Sequence, residues 1–70
     1  MEIAKRLKER ARKKGIPMVE FARRLGYSRN NLYLKLGRNH WTDEQLSAYC
    51  DALGVTYEIV FKDKETGERY

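Results

Sequence analysis

The sequence predicts a mainly α fold, with four short helices and a C-terminal β-hairpin in one domain over residues 1–70. Three observations indicate this class. Apolar residues recur every three or four positions as far as Leu53, which is the period of amphipathic helices. Glycines at positions 15, 26, 37 and 54 divide that stretch into four segments. After Gly54 the apolar residues alternate, and alternation is the period of a strand.

The first helix is predicted over residues 2–14. Ile3, Leu7 and Ala11 are spaced by four residues and form one apolar stripe, while charged residues fill most of the other positions. Gly15 ends the helix. Because the charged residues surround the helix, several of them are expected to serve only solubility.

Two short helices are predicted next, over residues 18–25 and 28–36. Pro17 suits the start of the first of them, because the N–H that proline lacks has no partner there. Gly26 supplies a left-handed residue at its end, and Ser28 caps the following helix through its hydroxyl. Two short helices joined by a tight, glycine-containing turn are a helix-turn-helix.

The fourth helix is predicted over residues 43–53, where the local signals are clearest. Thr42 is the expected N-cap, and Gln45 completes a capping box with it. Trp41 before the cap and Leu46 after it are the apolar pair of a hydrophobic staple.

The segment after Gly54 predicts a β-hairpin with strands at about 56–62 and 68–70, joined by a turn over residues 63–67. A two-stranded hairpin is barely stable alone, so it must pack on the helices or pair with another chain. The hairpin edge is therefore the expected interface if the protein forms a homodimer.

Positive charge is concentrated in the N-terminal part of the chain. Through Arg38 there are twelve Lys or Arg and three Glu, a net charge of +9, and the remainder has a net charge of −4. A positive surface on a small domain favours a polyanionic partner. Charge alone does not separate nucleic acid from a membrane surface or from a solvated helix.

Composition argues against several other classes. The single Cys50 excludes an internal disulfide, and it lies ten positions from His40, the only histidine, so no metal site is expected. No apolar run approaches the roughly 20 residues that cross a bilayer, and the N-terminus does not resemble a signal peptide. We expect a cytoplasmic, nucleoid-associated protein without membrane contact. Lacking a phosphate loop or paired catalytic groups, it is expected to be no enzyme and to take no cofactor or small-molecule substrate.

Residues 21–32, FARRLGYSRNNL, resemble the helix-turn-helix of the lambda-repressor and Cro superfamily, also called the Xre family. Ala22 matches the small residue where the two helices cross, Gly26 the turn, and Leu32 the apolar anchor of the recognition helix. Residues 41–61 are similar to a subgroup with a fourth helix and a β extension. The resemblance implies a four-helix, lambda-repressor-like domain that binds double-stranded DNA in a sequence-specific way, as a transcriptional regulator such as a repressor.

Two positions depart from the family pattern. Met18 stands where many members have a glutamine that contacts a phosphate, so that contact is not expected here. Leu36 takes over the burial that many members give to an aliphatic residue at the position of Lys35. The dense Glu, Lys and Arg content of the first helix also fits an engineered DNA reader on this scaffold. The alternative function is an antitoxin-like protein-interaction module, for which the acidic C-terminal half offers a surface.

The recognition helix, residues 28–36, is expected to enter the major groove with its outward face. At about 100° per residue, Arg29, Asn30 and Tyr33 point away from the core. Arg29 is suited to a bidentate pair with guanine and Asn30 to the same pair with adenine. Tyr33 and Leu34 are candidates for contact with a thymine methyl. The competing interpretation is a solvated helix face for Arg29 and Asn30, and core packing for Leu34.

Phosphate contacts are predicted around this helix from polar and cationic side chains, which are the usual donors to phosphate oxygens. Such contacts fix the register of the protein on DNA without reading its sequence. The predicted residues are Ser28, Asn31, Lys35, Arg38 and Asn39.

Overall fold

The computed structural model of the protein describes residues 3–38 and 40–69. All four predicted helices are present: α1 (Ile3–Lys13), α2 (Met18–Leu25), α3 (Arg29–Leu36) and α4 (Asp43–Leu53). Glu2, the predicted first residue of α1, lies outside the described residues. Ser28 is the N-cap of α3 rather than its first helical residue.

The helix ends follow from local chemistry. Gly26 has a φ of +77° after α2, and Gly54 has a φ of +70° after α4. A side chain is strained in this left-handed region, so glycine ends both helices. Thr42 accepts a hydrogen bond from the Gln45 backbone N–H, and the Gln45 side chain accepts one from the Thr42 N–H, both at 3.2 Å. The predicted capping box of α4 is confirmed.

The core lies where the four helices meet, and every helix contributes to it. Tyr49 is its aromatic centre, with edge-to-face contacts to Phe21 at 5.9 Å and to Trp41 at 5.0 Å between ring centroids. Trp41 and Leu46 are both half-buried against this core, as the predicted staple requires. The buried apolar side chains are Leu7, Ala11, Phe21, Ala22, Leu32, Leu36, Tyr49, Cys50 and Leu53.

Lys14 joins the end of α1 to the end of α4. Its Nζ donates to the Leu53 carbonyl at 2.6 Å and to the Gly54 carbonyl at 3.3 Å. The last carbonyls of a helix have no partner within the helix and carry a partial negative charge, so an ammonium group stabilises them. This lysine therefore has a structural role.

The predicted β-hairpin is wrong. The described residues contain four helices and no strand, and residues 56–61 do not form one. Ile59, Val60 and Phe61 are all exposed, so the alternating pattern does not bury one face of this segment. Apolar alternation predicts a strand only when one face is covered, and the helices do not cover this one.

The turn between the two predicted strands does form. The Asp63 carboxylate accepts hydrogen bonds from the backbone N–H groups of Glu65 and Thr66, and these bonds lower the pKa of Asp63. A single antiparallel bridge joins Lys62 to Arg69. This bridge is isolated among the described residues, so no ladder of strand pairing forms on the two sides of the turn; Tyr70 lies outside the described residues.

The expected homodimer interface on the hairpin edge has no support, because the described residues contain no strand and therefore no such edge. Within the described part of the chain, no helix has the length and apolar character needed to cross a membrane.

Candidate nucleic-acid interface

The packing of α2 against α3 positions α3, the predicted recognition helix. Ala22 is buried in α2, where a larger side chain would separate the two helices. The chain turns between them through Gly26 and Tyr27, and the Tyr27 N–H donates to the Ala22 carbonyl at 2.9 Å. The Ser28 hydroxyl oxygen then accepts from the Asn31 N–H at 3.2 Å and begins α3.

Leu32 and Leu36 anchor α3, since both side chains are buried in the core. Leu36 is buried whereas Lys35 is only half-buried, so Leu36 fills the core position as the sequence predicts. With these two leucines turned inward, the rest of the helix is available to a partner.

The four predicted base-reading side chains all lie on the exposed part of α3. Arg29 and Asn30 are exposed in its first turn. Tyr33 is 46% exposed and Leu34 is 72% exposed, so Leu34 does not belong to the core. The structure thus exposes all four predicted base-reading side chains on one short helix.

Four of the five predicted phosphate-binding residues border this surface. Ser28 and Asn31 are exposed at the start of α3, and the Ser28 O–H stays available to donate while its oxygen caps the helix. Lys35 lies with its Nζ 4.9 Å from the centroid of the Tyr27 ring, and Arg38 is exposed beyond the helix. The fifth, Asn39, lies outside the described residues.

Tyr27 is a residue of this interface that the sequence pattern did not reveal. Its ring supports the Lys35 ammonium through a cation–π contact and lies 6.4 Å from the ring of Tyr49. Burial, with a smaller effect from Tyr27, raises the pKa of Tyr49 to about 12. The available signal was an aromatic residue next to the turn glycine, eight positions before the lysine.

The basic residues of α2 are exposed but form hydrogen bonds with other groups of the protein. Glu20 accepts hydrogen bonds from Arg23 at 2.6 and 2.7 Å and from Arg24 at 2.9 Å. These bonds, first from Arg23 and then from Arg24, lower the pKa of Glu20 to about 2. Arg24 also donates to the Ala52 carbonyl of α4 at 2.9 Å. Because the net charge of +9 already subtracts Glu20, this cluster keeps a net charge of +1, but both guanidinium groups have hydrogen-bond partners within the protein.

Cys50 and His40 are the two remaining residues that the sequence analysis considered as possible metal ligands. Cys50 is buried in the core, and burial raises the pKa of its thiol. His40 is exposed, and the described residues include no group of three His, Cys, Asp or Glu that could hold a metal ion.

A family comparison agrees with this geometry. The model of the Cro/C1-type HTH DNA-binding domain matches residues 6–60, which include the whole of α2, α3 and α4 and most of α1. Comparison with curated proteins and with solved structures found no match. The family match covers more than half of the chain and contains the whole of α3. The chain therefore belongs to the Cro/C1-type helix-turn-helix DNA-binding domain family.

Proposed function

We propose that the protein is a sequence-specific transcriptional regulator that places α3 in the major groove of double-stranded DNA. The observation that carries this proposal is the joint exposure of Arg29, Asn30, Tyr33 and Leu34 on a helix anchored by buried leucines. The major groove is wide enough for an α-helix and presents a different pattern of donors, acceptors and methyl groups for each base pair.

Each reading residue has a distinct task in this proposal. Arg29 donates two hydrogen bonds to O6 and N7 of guanine, and Asn30 pairs with N6 and N7 of adenine. Each such pair discriminates against the wrong base by about 1–3 kcal/mol. Tyr33 and Leu34 contact thymine methyl groups, which are exposed in the same groove.

The phosphate contacts hold the helix in register. Ser28 and Asn31 donate from the start of α3, Lys35 and Arg38 add charge near its end, and Asn39 follows them in sequence. Each cation that neutralises a phosphate releases counterions, so its removal weakens binding to every sequence and reduces the dependence on salt.

Selection of binding sites from a random duplex library, repeated with single variants, tests the assignment. Arg29→Ala is expected to relax the preference at one base position. Lys35→Ala is the matched control on the same helix, and it is expected to weaken binding with the preferred sequence unchanged. An unchanged preference in Arg29→Ala would remove this residue from base reading.

A gel shift with random duplex DNA at low salt addresses the function itself. Non-specific binding through phosphates appears under this condition even when the preferred site is unknown. Failure of the unmodified chain to bind would reject DNA as the partner and favour a protein-interaction module.

A further inference from the structure

Helix α1 carries cationic side chains on two different flanks of its apolar stripe. At about 100° per residue, Lys8 and Arg12 follow Leu7 and Ala11 on one side, while Arg6 and Arg10 precede them on the other. The structure separates the two pairs accordingly. Lys8 and Arg12 line a groove of about 480 Å³, whereas Arg6 and Arg10 line a different surface depression.

The groove borders the exposed face of the recognition helix. Lys8 and Arg12 lie at its polar edge, Ile16 and Met18 form part of its apolar lining, and Tyr33 of α3 closes one side. The Lys8 Nζ lies 5.7 Å from the centroid of the Tyr33 ring. This flank of α1 and the base-reading surface therefore form one continuous face of the molecule.

Three other cations of the N-terminal half have structural partners. Lys14 is bonded to the end of α4, and Arg23 and Arg24 are bonded to Glu20. Lys8 and Arg12 are exposed, and neither forms an ion pair with another residue in the described ranges 3–38 and 40–69. Their charge is available to a partner that approaches α3.

We infer that Lys8 and Arg12 bind the phosphates of the DNA strand that borders the groove entered by α3, so that the interface extends onto α1. A duplex that admits α3 between its two backbones brings one backbone past Tyr33, where these cations lie. The apolar lining fits the C–H face of a deoxyribose, and the two cations match the phosphates on either side of it. This assignment rests on the proposed DNA-binding function and specifies which part of the positive charge serves it.

The test compares two double variants that remove the same charge from the same helix. Lys8→Ala with Arg12→Ala removes the flank next to α3, and Arg6→Ala with Arg10→Ala removes the opposite flank. All four side chains are exposed, and thermal unfolding by circular dichroism verifies that both variants fold like the unmodified chain. Affinity for a random duplex of about 20 base pairs is measured by fluorescence anisotropy between about 50 and 200 mM salt.

The first variant is expected to reduce the slope of log affinity against log salt by about 1.8, which is about 0.9 for each phosphate that is no longer neutralised. When salt is raised from about 50 to 200 mM, the factor by which its affinity decreases is then about ten times smaller than the factor for the unmodified chain. The control variant is expected to keep the unmodified slope. Lys8→Arg with Arg12→Lys, which keeps both charges, is expected to keep it too.

The result separates this inference from the proposed function. Equal slope changes in the two alanine variants would overturn the inference, because α1 would then act only through its total charge. An unchanged slope in the Lys8 and Arg12 variant would also overturn it, with DNA binding by the unmodified chain intact. Absence of binding by the unmodified chain would instead refute the proposed function.

Discussion

Leu32 and Leu34 provide a direct test of how α3 divides between folding and recognition. The two residues are the same amino acid, two positions apart on one helix, yet Leu32 is 0% exposed and Leu34 is 72% exposed. Truncation of a fully buried leucine to alanine costs about 2–5 kcal/mol, because less apolar surface is buried and a cavity remains. Truncation of an exposed leucine changes stability by about 0.5 kcal/mol or less.

These costs are large on the scale of this domain. At about 0.05–0.15 kcal/mol per residue, a chain of 70 residues has a free energy of unfolding of about 4–10 kcal/mol. In a domain of this size, each kcal/mol lowers Tm by about 4–8 °C. Leu32→Ala should therefore lower Tm by at least about 8 °C, whereas Leu34→Ala should leave it within about 4 °C.

DNA binding should show the opposite order once folding is taken into account. In the proposed complex Leu34 packs on a thymine methyl, so we expect Leu34→Ala to lose about 1 kcal/mol of binding free energy, or about fivefold in affinity. Leu32→Ala should retain the affinity of the unmodified chain at a temperature where it is folded. Urea unfolding and anisotropy with a selected duplex measure both quantities. Equal destabilisation by the two variants would refute the assigned orientation of α3.

Three further predictions concern the parts that support this helix. Gly26→Ala should lower the free energy of unfolding by about 1–2 kcal/mol through backbone strain alone, because φ is +77° and no neighbouring atom obstructs a Cβ. Gly26→Asn should lower it less, since asparagine tolerates this conformation better. Urea unfolding measures both variants, and equal losses would contradict backbone strain as the cause. The pKa of Glu20 is lowered from 4.5 to about 2, so its contribution to stability is present above pH 4.5 and is lost as the pH falls towards 2. The difference in urea midpoint between the unmodified chain and Glu20→Gln should therefore shrink over that interval. A constant difference would argue against the ion pairs. Lys14→Met should lower the free energy of unfolding by about 1 kcal/mol in urea, because the end of α4 loses its cation. Lys13→Met, which removes the same charge one position earlier, should not lower it. Equal effects of the two variants would exclude the capping role of Lys14.

The helical part of the fold could be predicted from the sequence because its signals are local. Gly26, Ser28 and the Thr42 capping box each act within four residues, and each is found where the pattern indicated. The burial of Leu32 and Leu36 follows from helical spacing in the same way.

The absence of the hairpin could not be predicted from the local pattern, because a strand forms only where another strand pairs with it and one of its faces is buried. Residues 55–61 have strand-like composition, but the described residues contain no strand, and Ile59 and Val60 are exposed. Composition also could not show that Arg24 donates to the Ala52 carbonyl of α4, or that Lys8 lies beside Tyr33. Those arrangements depend on helix packing and on which rotamer each long side chain adopts.

The shortness of α3 couples recognition to the core of the domain. A helix of eight residues is unstable alone in water, since helices below about 12–15 residues form too few hydrogen bonds to offset nucleation. The geometry of Arg29, Asn30 and Tyr33 therefore exists only while Leu32 and Leu36 are packed. Binding of DNA to the folded state in turn stabilises it by RT ln(1 + [DNA]/Kd), which is about 2.7 kcal/mol at a DNA concentration of about 100 Kd. A destabilised core variant should thus regain part of the decrease in its Tm on its preferred duplex, and a variant that no longer pairs with bases should regain less.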